Sequence, residues 1–342
     1  MQENKITEKK ELVINNISYI LLKMREIQFT EKKECRAGFG EGLLEAATRN
    51  ENIVALCADL TGSVKMDAFA KAFPERFFQT GIAEANMIGM AAGFALSGKI
   101  PYAGSFANFC TTRVLDQIRM LVAYSETNVK ICGSHAGITT GEDGATHQVM
   151  EDIGFMKTIP NMVVINPCDF NQTKAATMAI ADYKGPVYLR FGRPKMPNFT
   201  PENQAFEIGK ALLMQEGTDV TIFATGHLVY PSLEAAYMLY QKGVSAEVIN
   251  IHTIKPLDIK AILHSVQKTK CVVTAEEHLI NSGLGDSIAQ VLVRNFPCPQ
   301  EYVAMDDRFG LSGKPEELLT YFHLDKEHIF HAALKAIQRK NQ

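Results

Sequence analysis

The sequence has no long basic run, no stripe of aromatic and basic residues, and no cysteine pairs with zinc-ligand spacing. Its 35 basic and 38 acidic residues are spread along 342 positions and leave a net charge of −3. Nucleic-acid binding usually needs a concentrated basic surface. We therefore expect no nucleic-acid partner.

Segments that would enter or cross a membrane are also missing. No apolar stretch is long enough to span a bilayer, and the N-terminus lacks the basic region, apolar run and cleavage site of a signal peptide. The seven cysteines are odd in number and widely scattered, which is typical of buried free thiols in a reducing compartment. These absences predict a cytoplasmic protein with no membrane partner.

What remains is the composition of an ordinary globular protein, 46% hydrophobic and 21% charged. The length suggests two domains, each able to bury its own core. We predict an N-terminal extension over 1–30, a first α/β domain over 31–192, a linker over 193–205 and a second α/β domain over 206–342. The first 23 residues are expected to be a mobile extension or to lie upstream of a true start at Met24.

From about Arg36 onward, short β-branched runs alternate with amphipathic stretches, the pattern of a parallel sheet covered by helices. Predicted strands of the first domain cover 53–58, 76–80, 101–105, 129–133, 162–166 and 187–191, and its predicted helices cover 83–96, 108–123 and 169–182. Three prolines in the polar stretch 192–204 favour a linker. Beyond it, strands are predicted over 220–224, 246–251, 271–275 and 302–305, and helices over 231–241, 259–267, 285–294 and 328–339.

The sharpest local signal is the segment 141–148 (GEDGATHQ), which follows His135 at the end of a buried strand. Ligands usually bind outside the carboxyl ends of parallel strands. Together with His135, the segment supplies two imidazoles and two carboxylates among glycines, so it can present donors and acceptors to a polyhydroxylated substrate. The alternative is a surface turn capped by acidic residues.

Glu84 stands out in the segment 81–87 (GIAEANM). A carboxylate in a first helical turn is commonly a surface residue that complements the helix dipole. Here the neighbouring residues are nearly all apolar, which favours an inward position for Glu84. A buried carboxylate readily shares a proton with a basic nitrogen, so Glu84 is a candidate acid/base group.

Two phenylalanines, Phe106 and Phe109, lie three residues apart in the segment 105–109 (SFANF). At this spacing both rings fall on one side of a helix. They are either core residues or a surface on which a planar heterocycle stacks.

Taken in this order, these segments resemble the pyrimidine-binding and C-terminal domains of the transketolase family. The segments 58–63 (ADLTGS) and 161–169 (NMVVINPCD) add to the likeness, which covers nearly all of the chain after Met24. The resemblance implies a parallel-sheet pyrimidine-binding domain over 31–192 and a smaller C-terminal α/β domain over 206–342. The implied cofactor is thiamine diphosphate.

The resemblance also assigns cofactor-binding residues. Glu84 matches the glutamate that hydrogen-bonds N1′ of the aminopyrimidine and so promotes loss of the cofactor's C2 proton. Phe106 and Phe109 match the aromatic wall of the pyrimidine pocket, and Thr112 stands where many relatives carry a third aromatic residue. Asp59 falls in the cofactor-proximal stretch, with a strand-end cap as its alternative role.

For the substrate, the resemblance implies transfer of a two-carbon ketol unit from a ketose phosphate to an aldose phosphate. The positions that match phosphate-binding residues are Arg36, Ser63, His135 and Arg193. Asp143 and His147 match residues that face the hydroxyls and the reacting unit, and His147 joins Glu84 as catalytic. An arginine fork and a hydroxyl suit phosphate oxygens. Arg190 could replace Arg193, and a salt bridge is the alternative role for either.

A GDG motif followed by an asparagine, which binds Mg²⁺ and the diphosphate in full-length relatives, is missing; GEDG at 141–144 and GLGDS at 283–287 do not match it. We therefore expect no metal ligands in this chain. A partner, the N-terminal transketolase subunit, is expected to bind Mg²⁺ and share thiamine diphosphate in an α2β2 assembly. The polar residues 276–278 are expected to form a strand-end turn rather than a metal site.

Two other functions remain open. The first is a β subunit of a 2-oxoacid dehydrogenase E1 component, which has the same two-domain plan. The proteins of that class do not need the GEDGATHQ loop with His135. A non-catalytic transketolase-like scaffold is the second alternative, and the joint presence of Glu84, Phe109, His135 and His147 argues against it. The resemblance leaves the ketose and aldose open and allows a branched-sugar transketolase.

Overall fold

The structure, a computed structural model, describes residue 29 and residues 31–342. The predicted extension over 1–30 and the alternative start at Met24 therefore lie outside the described residues, apart from Phe29. The described chain contains a seven-stranded sheet, a five-stranded sheet and a separate two-stranded sheet. Helices accompany both large sheets, and the predicted α/β class is confirmed.

The strands supply the frame of the molecule. In chain order they are β1 (Glu31–Glu34), β2 (Ile53–Cys57), β3 (Phe77–Gln79), β4 (Ile100–Phe106), β5 (Lys130–Ser134), β6 (Val163–Ile165), β7 (Val187–Arg190), β8 (Lys195–Asn198), β9 (Leu212–Gln215), β10 (Val220–Ala224), β11 (Ala246–Asn250), β12 (Thr253–Lys255), β13 (Val272–Leu279) and β14 (Gln300–Met305). The central strands β2, β5, β10 and β11 are buried along their whole length. Such continuous apolar runs are typical of parallel sheets covered on both faces.

The large sheets are mostly parallel. The seven-stranded sheet has the order β12-β6-β7-β5-β4-β2-β3, and only its edge strand β12 runs antiparallel. The five-stranded sheet has the order β14-β13-β10-β11-β9, with β9 antiparallel. Because β12 follows β11 in the chain, the second half of the chain completes the edge of the first sheet.

The helices fill the connections between strands. In chain order the α-helices are α1 (Cys35–Arg49), α2 (Asp67–Ala72), α3 (Glu84–Leu96), α4 (Ala107–Thr111), α5 (Leu115–Gln117), α6 (Asp152–Thr158), α7 (Phe170–Asp182), α8 (Val229–Tyr240), α9 (Ile259–Thr269), α10 (Leu284–Asn295), α11 (Pro315–Tyr321) and α12 (Lys326–Lys340). Helix α1 packs directly on α7: a Cβ at Gly38 would lie 2.3 Å from the Phe170 carbonyl oxygen. Only glycine allows this approach.

Several observed elements were not predicted, among them helices α1, α2, α6 and α11 and strand β9. Two predicted segments also take a different form. Part of the predicted linker, Lys195–Asn198, forms strand β8 and pairs antiparallel with β1, because proline is tolerated on an edge strand. The single helix predicted over 108–123 is divided into α4, a 3₁₀ turn at Thr112–Val114, α5 and a π-helix at Ile118–Tyr124. Within residue 29 and residues 31–342, no helix is long and apolar enough to cross a membrane.

Candidate active site

The site lies at the carboxyl ends of β4 and β5. These strands are paired in register, with Phe106 opposite Ser134, so the residues that follow them come together. The backbone of His135 turns away from the strand with a positive φ of 56°. This turn brings its ring against Phe106, with ring centroids 3.8 Å apart and planes nearly parallel.

Four rings meet at this edge, and we call Phe106, Phe109, His135 and His147 the aromatic cluster. The two phenylalanine rings lie on the same side of the chain, as the sequence predicts, and are stacked with centroids 5.7 Å apart. His147 lies edge-on to both, 5.3 Å from Phe109 and 6.2 Å from Phe106. The segment 105–109 and the GEDGATHQ loop, which are far apart in the chain, therefore form one surface.

Glu84 joins this surface through an arginine. Its side chain is only 3% exposed, as its apolar neighbours predict, and Arg113 Nη1 contacts its two carboxylate oxygens at 3.1 and 3.2 Å. The Arg113 guanidinium also lies over the Phe109 ring, 4.2 Å from its centroid. Sequence reasoning missed Arg113, because only the turn after α4 brings it back to the start of α3.

His135 is held neutral in this position. Burial lowers its pKa to about 3, and the positive charges of Arg36 and Arg193 act in the same direction. The Ser134 hydroxyl lies 2.9 Å from Nδ1, and Thr140 Oγ1 donates to the His135 carbonyl. In the tautomer in which Nδ1 accepts from the Ser134 hydroxyl, Nε2–H of the neutral ring can donate to an anionic ligand.

The GEDGATHQ loop is anchored at both ends. It enters as a 3₁₀ segment, Ile138–Asp143, in which Gly141 has a φ of 86°. Gln148 closes it by donating to the carbonyls of Gly141 and Leu311. Between these anchors Asp143 is exposed and His147 is partly buried, with Thr146 Oγ1 2.9 Å from His147 Nδ1. The loop therefore presents the Asp143 carboxylate to solvent and places the His147 ring against the aromatic cluster.

Arg36 and Ser63 come together as predicted, although through a backbone contact. Arg36 Nη1 donates to the Ser63 carbonyl at 3.0 Å and Nη2 to Glu34 at 3.0 Å. The buried Nε of Arg36 has no hydrogen-bond partner among the described residues. Lys65, which sequence reasoning missed, pairs with Glu34 at 3.2 Å and is another of the positive charges acting on His135. Its position two residues after Ser63 was the available signal.

The choice between Arg190 and Arg193 is decided by burial. Arg190 is 3% exposed and donates to Asp152 at 2.8 Å and to the Glu277 carbonyl at 2.9 Å, so its guanidinium is already engaged. Arg193 is 36% exposed and contacts the Thr140 carbonyl and the exposed Glu142. Arg190 therefore cannot replace Arg193 as a substrate ligand.

Asp59 stands apart from these contacts. It follows β2 with a positive φ of 58°, and its backbone N–H donates to Gln79 Oε1 at 2.6 Å. Its side chain is exposed and is not joined to the aromatic cluster by any contact in the described part of the chain. This position fits the strand-end alternative at least as well as a cofactor role.

The residues present fit one half of a cofactor site. A buried carboxylate beside two stacked rings suits an aminopyrimidine, which offers ring nitrogens and a flat face. No group of three or more His, Cys, Asp or Glu residues within 31–342 could hold a metal ion. The polar residues 276–278 do not form the expected turn: they are buried within strand β13, where Glu276 accepts from two backbone N–H groups at the start of α10.

The two halves of the chain match two known domains. Residues 31–198 match the family described as transketolase, pyrimidine binding domain, and residues 209–329 match transketolase, C-terminal domain. A transketolase C-terminal section from Methanocaldococcus jannaschii is 47% identical, over 90% of this chain and 98% of that protein. The chain belongs to the transketolase family. Membership in the family implies use of thiamine diphosphate and a divalent metal ion.

Two further family members match this chain over nearly their whole length. A 6-deoxy-6-sulfo-D-fructose transketolase subunit from Clostridium sp. (strain MSTE9) is 45% identical, over 87% of this chain and 93% of that protein. A solved structure described as a split gene transketolase, inactive beta4 tetramer, is 42% identical with a TM-score of 0.85; the match covers 90% of this chain and 99% of that one. The predicted resemblance to a transketolase C-terminal subunit is therefore confirmed.

Proposed function

We propose that the chain is the C-terminal subunit of a split transketolase, which transfers a two-carbon ketol unit from a ketose phosphate to an aldose phosphate and is active only with an N-terminal subunit. The observation that carries the proposal is the connection of Glu84, through Arg113, to an aromatic cluster that contains both predicted imidazoles. A carboxylate, a stacking surface and two imidazoles at one sheet edge are the groups that this chemistry requires.

Glu84, Phe106 and Phe109 would bind the pyrimidine ring of the cofactor. When bound, thiamine diphosphate supplies the electron sink for cleavage of the carbon–carbon bond next to a ketose carbonyl. Glu84 would hold a proton at the pyrimidine N1′, while Phe106 and Phe109 would pack against the ring and exclude water. Because Arg113 occupies both oxygens of Glu84 in the chain alone, the pyrimidine would share or displace that contact.

The substrate half falls to the polar groups beyond the cluster. Neutral His135 would donate from Nε2 to a phosphate oxygen, and Arg36 and Arg193 would supply positive charge. The Nε of Arg36 has no partner among the described residues but is buried, so it would reach a phosphate oxygen only after a shift of the side chain. Asp143 and His147 of the loop would face the sugar hydroxyls and the reacting carbons. Glu84 and His147 are the catalytic residues of this proposal.

We also propose that the partner subunit binds Mg²⁺ and the diphosphate and that two copies of each chain assemble as α2β2. Exposed apolar side chains occur at both ends of α3 and on the π-helix that contacts it: Ile82 and Leu96 are each 78% exposed, and Tyr124 is 77% exposed. Exposed apolar residues grouped on one surface commonly mark a protein interface. The relatives that this chain covers almost completely are themselves named as a C-terminal section or a subunit.

The free cysteines and one relative bear on the cellular compartment and on the sugar. All seven cysteines are free thiols, which supports a reducing, cytoplasmic location. The Clostridium relative acts on a sulfonated ketose, so a sugar with another anionic end is an alternative to a pentose phosphate. Family membership favours ketol transfer over the 2-oxoacid dehydrogenase reaction, and the assembled site favours catalysis over a scaffold role.

The test is reconstitution. The purified chain is mixed with an N-terminal transketolase subunit that carries the GDG motif, and with an α subunit of a 2-oxoacid dehydrogenase as the matched control, each with thiamine diphosphate and Mg²⁺. We expect ketol transfer only in the first mixture and oxidative decarboxylation in neither. Full transketolase turnover by the chain alone, or decarboxylation in the second mixture, would contradict the proposal.

A further inference from the structure

A buried histidine links the second half of the chain to the substrate end of the site. His227 follows β10, is 3% exposed, and lies between Glu277 of β13 and Cys35 at the start of α1. Its Nδ1 is 3.2 Å from a Glu277 carboxylate oxygen and its Nε2 is 3.6 Å from the Cys35 sulfur. Thr139 completes the cluster with its hydroxyl 3.4 Å from Nδ1.

His227 and Glu277 are both charged although both are buried. Burial disfavours a charged imidazole, but hydrogen bonds and charge interactions with Cys35 and Glu277 outweigh it and raise the pKa of His227 to about 10. The pKa of Glu277 is lowered despite its burial, because His227 and Arg190 stabilise the carboxylate. His227 and Glu277 therefore form a buried ion pair, which has a defined geometry and is costly to break.

The pair contacts the three chain segments that carry Arg36, His135 and Arg193. These are the predicted phosphate ligands with a charged or imidazole side chain. Cys35 directly precedes Arg36. Glu277 Oε1 accepts the Thr139 backbone N–H at 2.7 Å, four residues after His135. Gly192, which directly precedes Arg193, packs so closely that a Cβ there would lie 2.0 Å from His227 Cε1.

We propose that His227 is a positioning residue for the phosphate end of the substrate site. It does not reach the substrate; it fixes the three backbone segments that present Arg36, His135 and Arg193. Because guanidinium forks and imidazoles bind phosphate only when aligned, a small displacement of these segments weakens binding of the phosphate without altering the reacting carbons. This inference rests on the proposed function.

The first test separates the two ends of the substrate. In the reconstituted complex, His227→Gln is compared with wild type on a ketose phosphate and on hydroxypyruvate, a ketol donor without phosphate. We expect KM for the ketose phosphate to rise about tenfold, with KM for hydroxypyruvate and kcat unchanged within about twofold. His264→Gln, at an exposed position of α9, is the matched control and leaves every parameter unchanged.

Equal KM increases for both donors, or no increase, would overturn the positioning role. If His227→Gln fails to fold because Glu277 is left unpaired, the double variant His227→Gln/Glu277→Gln carries no unpaired buried charge and replaces it. The same split between donors is expected of the double variant.

A second readout does not depend on turnover. Binding of inorganic phosphate to the purified chain is measured by calorimetry for wild type and the double variant. We expect affinity to fall about fivefold or more in the variant, and equal affinity would overturn the inference. A wild-type complex that transfers no ketol unit would refute the proposed function instead, while the phosphate measurement would still decide the role of His227.

Discussion

Replacing Arg190 with methionine should destabilise the chain severely. The guanidinium is buried between the two halves, where Nε donates to Asp152 at 2.8 Å and Nη2 to the Glu277 carbonyl at 2.9 Å. Asp152 is fully buried, and its other hydrogen-bond partner in the described part of the chain is the Tyr188 hydroxyl at 2.5 Å. Arg190→Met therefore leaves a carboxylate in the core without a countercharge.

The size of the effect follows from this unpaired buried charge. Removing one partner of a buried ion pair typically costs about 3–5 kcal/mol, and we expect Arg190→Met to lower the free energy of unfolding by about 4 kcal/mol. Urea denaturation followed by circular dichroism measures it. Lys326→Met is the matched control, since the Lys326–Glu234 pair is 40% and 35% exposed and should contribute below about 1 kcal/mol.

A double variant tests the cause. Asp152→Asn/Arg190→Met removes both charges, so its loss should be smaller than the sum of the single losses by about 1–3 kcal/mol. A loss below about 1 kcal/mol for Arg190→Met, or strict additivity with Asp152→Asn, would refute the reasoning that the pair is dry and tightly coupled.

Two further predictions concern stability. Burial lowers the pKa of His252 to about 4, so this imidazole is protonated first in the unfolded chain. Its own contribution to stability is full above about pH 6.5 and falls toward pH 4 by at most about 1.4 kcal/mol per pH unit, in addition to a loss of the same sign from His135. His252→Gln should flatten this limb in urea denaturation at several pH values, and an unchanged slope would contradict the assignment. Gly192→Ala should cost about 1–3 kcal/mol, because its methyl group would meet His227. Gly93→Ala, on α3 with open space around the added carbon, should stabilise by about 0.5–1 kcal/mol, and equal losses for both glycines would be inconsistent with the packing.

The parts of the fold that sequence reasoning found are those with strong local signals. Strand β10 was predicted at its observed bounds, because a short apolar run flanked by polar residues indicates a buried strand of a parallel sheet. Strands β1, β8, β9 and β12 were missed. They are three or four residues long, contain polar or charged residues, and are stable only because a distant segment pairs with them.

The same division applies to the candidate site. The inward position of Glu84 and the shared side of Phe106 and Phe109 could be predicted, since apolar neighbours and the three-residue spacing decide them locally. Arg113 and His227 could not, because their partners are supplied by contacts between segments 29 and 192 residues apart. Long-range pairings of charged groups leave no periodic signal in a sequence.

The most direct measurement is hydrogen–deuterium exchange at C2 of thiamine diphosphate in the reconstituted complex, followed by NMR. Wild type and Glu51→Gln, which alters an exposed glutamate, should exchange at the same rate. Glu84→Gln should slow exchange by about a hundredfold or more, because the proton at the pyrimidine nitrogen is no longer held by a carboxylate. Exchange by Glu84→Gln at the wild-type rate would contradict the assignment of this chain as the catalytic half of a transketolase.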